Sequence, residues 1–430
     1  MRKTALALAM AGLAMPVLAD DTGSAIVSAA YDGTLVDQRA ALGAACDDGE
    51  RVACFGAGLG EVIGSYQILA QAMYRHGPVV PGNSAAALIF GLGLDDAASM
   101  APANPQPEPL TYRGLRDIME TTVTGLDAAR VRFEAAGAEG DDVLMLDPAL
   151  IRLDIDGDGS VGEDETLAPL VEQFAALFAD QIGQEPSVDT KSKTKPEPAA
   201  TGETGIGFDR ADALWLAGYT QVVATPLDFL LAHDFSGFYD AYLHRVFPRA
   251  GLPMQAYDKG GELFFDADSD SGIADMIAAV HMLRFPVTDS ARLAGVHDRL
   301  KTITDLSRQN WTAILAETDD NRELLPSPNQ TSLLPGLTVT REIVDGWKAS
   351  LDTMDQILDG DLLVPHWRFK QGFDLHAYLT EATETDVVML ITGQAAVPFI
   401  KDGPIADADS FAAGNAIFGE SWPQYLFWFN

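Results

Sequence analysis

The sequence is poor in cysteine and in basic residues. It has two cysteines and 28 lysines and arginines, against 63 aspartates and glutamates in 430 residues, and its formal net charge is −35. So large a negative charge repels nucleic acids and anionic lipid surfaces, and it attracts cations. We therefore expect no nucleic-acid partner. Hydrophobic residues still make up 47% of the chain, which is enough for a large core.

Long hydrophobic runs are also absent. The apolar stretch from Ala5 to Leu18 and the later one from Val387 to Ile400 are both too short to span a bilayer. We expect no membrane span in the mature chain. The later stretch also contains Gly393 and Pro398, and we interpret it as an element buried in the core.

The first 19 residues have the three parts of a secretory signal peptide. Arg2 and Lys3 give a positive start, an apolar stretch follows, and Val17-Leu18-Ala19 provides the small residues of a cleavage site. We expect residues 1–19 to be removed and the protein to be periplasmic or secreted. The removed part holds two basic and no acidic residues, so the net charge of the mature chain would be −37.

Cys46 and Cys54 are separated by a turn-rich spacer. In a compartment that permits oxidation, such a pair predicts a disulfide. Closing so short a loop stabilises the fold by about 2.5 kcal/mol on a chain-entropy estimate. A metal-binding or redox pair would need further ligands nearby, and the surrounding sequence offers too few.

Residues 184–206 mark the clearest break in composition. They contain three prolines and no aromatic residue, and such a segment cannot bury enough apolar surface to order itself. We predict a flexible linker or a disordered excursion between two helical regions, residues 20–183 and 207–430. The sequence leaves open whether these regions share one core.

Helical spacing of apolar residues dominates both regions, so we predict a mostly α, multi-helix globular fold with few short strands. One helical run begins among the glycines Gly56–Gly64 and ends at the stop signal Arg75-His76-Gly77. We interpret these glycines as part of a helix rather than as a dinucleotide-binding turn.

Further helical runs follow, with a kink or a break expected at Pro226. They begin near Asp209, Ile273, Asp289 and Thr340. Their apolar residues form stripes that we expect to face the core. The best candidate for a strand is Val387–Ile391.

Residues 154–165 read Asp-Ile-Asp-Gly-Asp-Gly-Ser-Val-Gly-Glu-Asp-Glu. Carboxylates recur at every second position, a glycine follows at 159, and Glu165 closes the segment. Calcium takes six to eight hard oxygen ligands, and carboxylates supply them. The segment resembles the calcium-binding loop of the EF-hand family, and the resemblance covers about thirty residues including the flanking helices.

The resemblance implies one calcium ion and a role for each ligand. The three aspartates would each give a side-chain oxygen, position 160 its main-chain carbonyl, and the last glutamate both carboxylate oxygens. The implied ligands are Asp154, Asp156, Asp158, Ser160 and Glu165. Gly159 would supply a positive φ, and a water would replace the side chain that Gly162 lacks. Because nitrogen and sulfur ligands are absent, zinc and copper are disfavoured.

The segment departs from the family in two ways that favour a structural role over a sensing role. Asp147-Pro148 leaves room for little more than one turn of entering helix, and no second complete loop exists to form a pair. A partial match occurs at Asp266, Asp268 and Asp270. Since it leads directly into an apolar helix, helix capping is the better interpretation and a second calcium site the alternative.

The chain shows no evident catalytic motif, and we interpret it as a binding protein rather than an enzyme. The alternative is an envelope hydrolase with a site of histidines and carboxylates within residues 207–430. The candidate groups are Asp234, Asp240 and His244, and His366, Asp374 and His376. Besides calcium, the binding interpretation allows an envelope protein as a partner.

Overall fold

The structure is a computed structural model that describes residues 19–78, 104–172, 205–254, 267–318, 325–331 and 339–419, with Asp320, Glu323 and Phe429. Helices dominate this part of the chain and its strands have two or three residues each, so the predicted mostly α fold is confirmed. The predicted signal peptide, except Ala19, and residues 184–204 of the predicted linker lie outside the described residues.

The α-helices vary from six to 26 residues. In chain order they are α1 (Ala19–Tyr31), α2 (Leu35–Asp47), α3 (Arg51–His76), α4 (Tyr112–Gly137), α5 (Arg210–Leu231), α6 (Ser236–Tyr242), α7 (Ala267–His281), α8 (Ser290–Ile314), α9 (Arg341–Leu358), α10 (Leu375–Glu381), α11 (Val387–Thr392) and α12 (Ala412–Phe418). Short 3-10 turns lie at Pro148–Leu150, Leu243–Arg245 and Val397–Phe399.

The strands form small antiparallel sheets. They are β1 (Leu144–Leu146), β2 (Ile206–Phe208), β3 (Arg284–Pro286), β4 (Val364–Pro365), β5 (Gly372–Phe373), β6 (Glu384–Asp386) and β7 (Ile400–Lys401). β1 pairs with β2, β3 with β6, and β5 lies between β4 and β7. In the first pair Leu144 is opposite Phe208, so residues on either side of the predicted linker meet there.

The largest hydrophobic core contains residues from both predicted helical regions. Ile26, Phe55 and Phe133 come from the first region, and the buried side chains of Trp311 and Trp347 come from the second. Therefore the two regions share one core, which answers the question that the sequence left open.

Helix α3 runs through this core, and its glycines allow close packing. A Cβ atom on Gly56 would lie 2.6 Å from Ile26, and one on Gly58 would lie 2.8 Å from Phe133. Among the described helices, α3 is long and apolar enough to cross a membrane. However, 61% of its most apolar stretch of 18 residues is buried inside the protein. That burial is typical of a core helix. The last residue of the helix is His76. Gly77 follows with a left-handed φ of 59°, which ends the helix and confirms the predicted stop signal.

The predicted disulfide is confirmed. Cys46 and Cys54 are bonded and link the end of α2 to the first turns of α3. Both side chains are buried, Cys54 completely. The bond holds the turn between these helices against the core, and it agrees with a protein from an oxidising compartment.

The helix predicted from Asp209 is confirmed, but it is not broken at Pro226. α5 continues through this proline to Leu231. At its start, Asp209 accepts hydrogen bonds from the amides of Ala211 and Asp212, and the Asp212 carboxylate accepts one from the Asp209 amide. This reciprocal cap fixes the first turn of the helix.

The core-facing stripe predicted for the helical run from Ile273 is wrong at three residues of α7, although Leu283, just after this helix, packs against the core. The side chains of Met276, Ile277 and Val280 are exposed, whereas Asp275 and Ala279 are buried. Asp275 accepts a hydrogen bond from His244 at 3.0 Å and forms an ion pair with Arg245. These polar contacts orient the helix, and hydrophobic spacing alone does not reveal them.

In the stretch Val387–Ile400, predicted to be buried in the core, only Gly393 and Ala396 are buried. The strand predicted at Val387–Ile391 is wrong. These residues begin helix α11, which Asp386 caps by accepting a hydrogen bond from the Met389 amide. None of the α11 residues is buried. Short apolar runs do not by themselves distinguish a strand from a helix or a core from a surface.

A network of ion pairs joins α4, α5 and α8. The guanidinium group of Arg299 donates to Asp127, Gln221 and Asp228 at 2.5–3.1 Å, and its side chain is only 10% exposed. Burial alone would raise the pKa of Asp127, but hydrogen bonds and charge from Arg299 outweigh it and hold that pKa below 3.8. Arg292 gives Asp228 a second cation at 2.7 Å.

We predict that Arg299→Met lowers the free energy of unfolding by about 1–3 kcal/mol, because Asp127 loses its cation and the buried Asp228 keeps only Arg292. Urea denaturation measures this change. As a control, Arg113→Met removes an ion pair whose arginine is 90% exposed, and we expect little loss. Equal losses in the two variants would contradict a stabilising role for the buried network.

His233 is a buried histidine whose hydrogen bonds are satisfied by the neutral ring. Nδ1 lies 2.6 Å from the Phe229 carbonyl, which can only accept, so Nδ1 carries the proton. Nε2 then accepts from the Thr385 hydroxyl at 2.7 Å, and Thr385 accepts from Tyr378 at 2.6 Å. Burial lowers the pKa of His233 below 6.5.

We predict that His233 makes the fold less stable at mildly acidic pH. The unfolded chain binds a proton near pH 6.5 but the folded chain resists it, so this contribution is complete above pH 6.5 and declines as the pH falls toward the lowered folded pKa. His233→Gln cannot titrate. The difference in unfolding free energy between wild type and variant should therefore shrink between pH 7 and 5, and a constant difference would contradict the assignment.

Candidate metal centre

The segment that leads into the acidic loop is anchored by alternating side chains. Ile151, Leu153 and Ile155 are buried in the main core, with Leu153 completely inaccessible. Arg152 and Asp154, between them, are only partly buried. An extended chain directs successive side chains to opposite faces. The same residues that fill the core therefore direct Asp154 and Asp156 away from it.

Main-chain hydrogen bonds hold the two ends of the loop together. Arg152 and Thr166 form an antiparallel bridge. The Leu153 amide donates to the Glu165 carbonyl at 3.1 Å, and the Leu167 amide donates to the Ile151 carbonyl at 2.9 Å. The loop is thus closed at its base by the backbone.

Two earlier parts of the chain hold the loop from outside. The Arg152 amide donates to Ala30 at 3.0 Å, and the side-chain amide of Gln71 donates to the Asp154 carbonyl at 2.9 Å. Val161 packs against Gly33, where a Cβ atom would lie only 2.8 Å from its methyl groups. Gln71 and Gly33 escape sequence reasoning because they lie more than 80 residues away and belong to no local motif.

The structure before the loop agrees with the short entering helix predicted from the sequence. Pro148–Leu150 form one 3-10 turn, capped by the Asp147 carboxylate. On the exit side, residues 168–172 are helical. The residues after 172, where the resemblance implies that the exit helix continues, lie outside the described residues.

The structure brings three of the predicted ligands together. Oxygens of Asp154, Asp156 and Asp158 all lie within 4.8 Å of one another. Calcium binds oxygen at about 2.4 Å, so two oxygens on one ion can be at most about 4.8 Å apart. The three carboxylates are therefore close enough to share one metal ion, and their oxygen atoms suit a hard cation.

Amide groups of the loop orient these carboxylates. Asp154 accepts from the amides of Gly157 at 2.6 Å and Gly159 at 3.1 Å. Asp156 accepts from the Asp158 amide, and Asp158 from the Ser160 amide. Both glycines have positive φ, 78° and 84°, as expected for Gly159 but not foreseen for Gly157. The backbone thus wraps around the carboxylate oxygens.

Glu165 occupies a different position from the aspartates. One of its oxygens accepts from the amides of Ile155 at 2.8 Å and Asp156 at 3.3 Å, and the other accepts from Gly162 at 2.6 Å. It does not belong to the group of converging carboxylates. Its carboxylate therefore spans the base of the loop, and its role as a bidentate ligand stays a prediction. Ser160 is exposed at the rim.

No protein-family model, curated protein or solved structure matches the chain. The resemblance to the EF-hand loop therefore depends on the residues of this loop and on their geometry.

The partial second match at Asp266, Asp268 and Asp270 falls at the start of helix α7. Helix α7 begins at Ala267, so Asp268 and Asp270 lie in its first turns. Asp266 and the side chains of Asp268 and Asp270 lie outside the described part of the chain.

The histidines considered for a hydrolytic site have separate partners. His366 donates to the Leu390 carbonyl at 2.9 Å and His376 to the Leu358 carbonyl at 3.1 Å. Asp374 caps α10 and forms an ion pair with Lys401 at 2.6 Å. Among the described residues, no hydrogen bond joins the two histidines to each other or to Asp374.

The other group considered for that site is also divided. His244 pairs with Asp275 of α7 rather than with the carboxylates near it in sequence. Asp234 accepts from the Ser236 amide, which holds the turn before α6.

We predict that Gly33→Ala destabilises the protein more than Gly49→Ala does. Both glycines have positive φ, 73° and 101°, so both variants carry backbone strain of about 1–3 kcal/mol. Only at Gly33 would the new methyl group also collide with Val161, since nothing lies within 4 Å of a Cβ at Gly49. Thermal melting measures both variants, and equal losses would show that Val161 does not hold the loop.

Proposed function

We propose that this is an exported protein whose loop Asp154–Glu165 binds one calcium ion with a structural role. The observation that carries the proposal is the convergence of the Asp154, Asp156 and Asp158 oxygens on a loop whose two ends are fixed to the main core. The signal-peptide pattern in residues 1–19 and the Cys46–Cys54 disulfide support export to the periplasm or beyond.

Electrostatic repulsion explains why the loop needs a cation. Six of its twelve residues are acidic, and like charges packed this closely repel one another. A divalent ion would attract the three converging carboxylates and so offset the repulsion between them. The anchored base, with Leu153 and Ile155 in the core, would then be stabilised from its outer side.

Glu165 is the remaining carboxylate that would complete the shell. Its oxygens now accept from three main-chain amides, so coordination through it would exchange some of these hydrogen bonds for the ion. A bidentate glutamate suits calcium, because magnesium requires a stricter octahedral geometry. An external protein needs only modest affinity, since extracellular calcium modules have Kd values of about 10⁻⁴–10⁻³ M.

The expected result is that calcium raises the melting temperature of the mature chain, and magnesium does so much less. Bound ion stabilises the folded state by mass action, by about 2.7 kcal/mol at one hundred times Kd. Glu165→Gln and Asp154→Asn should lose most of the gain. The measurement is thermal melting with calcium, with magnesium or with a chelator.

Glu163→Gln is the matched control. It makes the same change of charge in the same loop, but Glu163 is exposed and is not among the predicted ligands. We expect it to keep the response to calcium. A melting temperature that calcium does not change would refute a specific site. A loss of response in Glu163→Gln equal to that in Glu165→Gln would also refute it, because general charge screening would then explain the effect.

A further inference from the structure

The most apolar late segment of the chain lies on the surface beside two basic residues. We define the apolar tip as residues 366–371 together with residues 387–400. Four of its large side chains face solvent: Trp367 is 71% exposed, Ile391 64%, Val397 52% and Met389 40%. Val387, Leu390 and Phe399 pack against the core and hold the tip in place. Exposed clusters of this kind mark surfaces that bind a partner or a membrane.

Side-chain hydrogen bonds build the tip. The Trp367 indole N–H donates to the Ile391 carbonyl at 2.8 Å, and His366 donates to the Leu390 carbonyl at 2.9 Å. These carbonyls belong to the last turn of α11, where no further turn of helix follows to supply amide donors. The Leu390 carbonyl also accepts from the Gly393 amide at 3.1 Å. The two aromatic residues thus cap the helix and fix Trp367 beside Ile391. The exposure of both side chains is therefore a feature of the folded structure.

The charge of the tip is opposite to that of the whole protein. Its 20 residues include Arg368 and Lys370 and no aspartate or glutamate, in a chain of net charge −35. The Arg368 guanidinium lies over the Trp367 ring, 4.5 Å from its centroid. Neither Arg368 nor Lys370 forms an ion pair with any residue that the structure describes, and both are exposed.

We propose that the apolar tip docks the protein on the surface of an anionic phospholipid bilayer. Tryptophan favours the boundary between water and lipid, and here its N–H is already hydrogen-bonded, so it can leave water without losing a partner. Arg368 and Lys370 would face the lipid phosphates. The tip would enter the interface without spanning the membrane.

The charge of the whole chain and the shape of the apolar tip are both compatible with a lipid surface. The negative charge of the rest of the chain repels anionic lipid, but salt screens charges farther than about 8 Å at physiological ionic strength. A protein partner would need pockets for Trp367 and Ile391, which project into solvent for more than half of their surface. A lipid interface accommodates projecting side chains without preformed pockets.

Co-sedimentation of the mature chain with vesicles tests the proposal. We expect binding to vesicles that contain phosphatidylglycerol, much weaker binding to pure phosphatidylcholine, and loss of binding at high salt. All samples contain a chelator, because calcium could bridge an acidic protein to anionic lipid. The result is therefore independent of the calcium loop.

Variants of the tip separate its two contributions. Ile391→Gln should lower the partition coefficient about tenfold, through the loss of apolar contact. Arg368→Gln and Lys370→Gln should each lower it about fivefold, and only for anionic vesicles. The controls are Val131→Gln, at a valine on α4 that is 51% exposed, and Arg341→Gln, which should bind as the wild type does.

Either of two outcomes would overturn the proposal. One is a wild-type chain that does not bind phosphatidylglycerol vesicles, which would leave a protein as the occupant of the tip. The other is binding that the tip variants and the control variants weaken equally. Circular dichroism of each variant confirms that it is folded.

Discussion

The burial of Ile151, Leu153 and Ile155 in the main core is the constraint on which the acidic loop depends. These three side chains fix the direction of an extended segment, and the alternation of that segment places the intervening carboxylates outside the core. The bridge between Arg152 and Thr166 then returns the chain to its starting point. The base of this loop of twelve residues is thereby held by core side chains and by backbone hydrogen bonds.

The same core explains how distant parts of the chain cooperate at this loop. α3 supplies Gln71, which donates to the Asp154 carbonyl. The turn between α1 and α2 supplies Gly33, which leaves room for the Val161 side chain. The Cys46–Cys54 disulfide holds α2 against α3. An ion at the loop would therefore stabilise contacts with the first helices of the protein, beyond the loop itself. This arrangement suits a structural clip better than a sensor, which needs a helix pair that is free to open.

Polar contacts decide several features that hydrophobic patterns describe poorly. Arg299 joins three helices through its ion pairs with Asp127 and Asp228. On α7, the contacts of Asp275 with His244 and Arg245 bury this carboxylate and leave Met276, Ile277 and Val280 exposed. At the surface, Trp367 and His366 cap α11 by donating to its last carbonyls. This cap holds the side chains of Trp367 and Ile391 in contact with water. Each of these contacts joins residues that are 24 or more positions apart.

The sequence by itself determined what depends on neighbouring residues. Helical spacing predicted α3, α5, α8 and α9, the caps at Asp209, Asp289 and Thr340 mark where three of them begin, and the short spacer predicted the disulfide. The oxygens two residues apart predicted the group of three aspartates, because a tight turn brings such residues together whatever surrounds it.

Only the tertiary structure decided what depends on distant partners. It placed both helical regions in one core and brought Gln71 and Gly33 to the loop. It left several apolar side chains of α7 and α11 exposed to solvent, among them Ile277 and Ile391. It also placed Glu165 against main-chain amides rather than beside the aspartates. A residue pattern records which side chains can be buried, but the surfaces that bury them come from elsewhere in the chain.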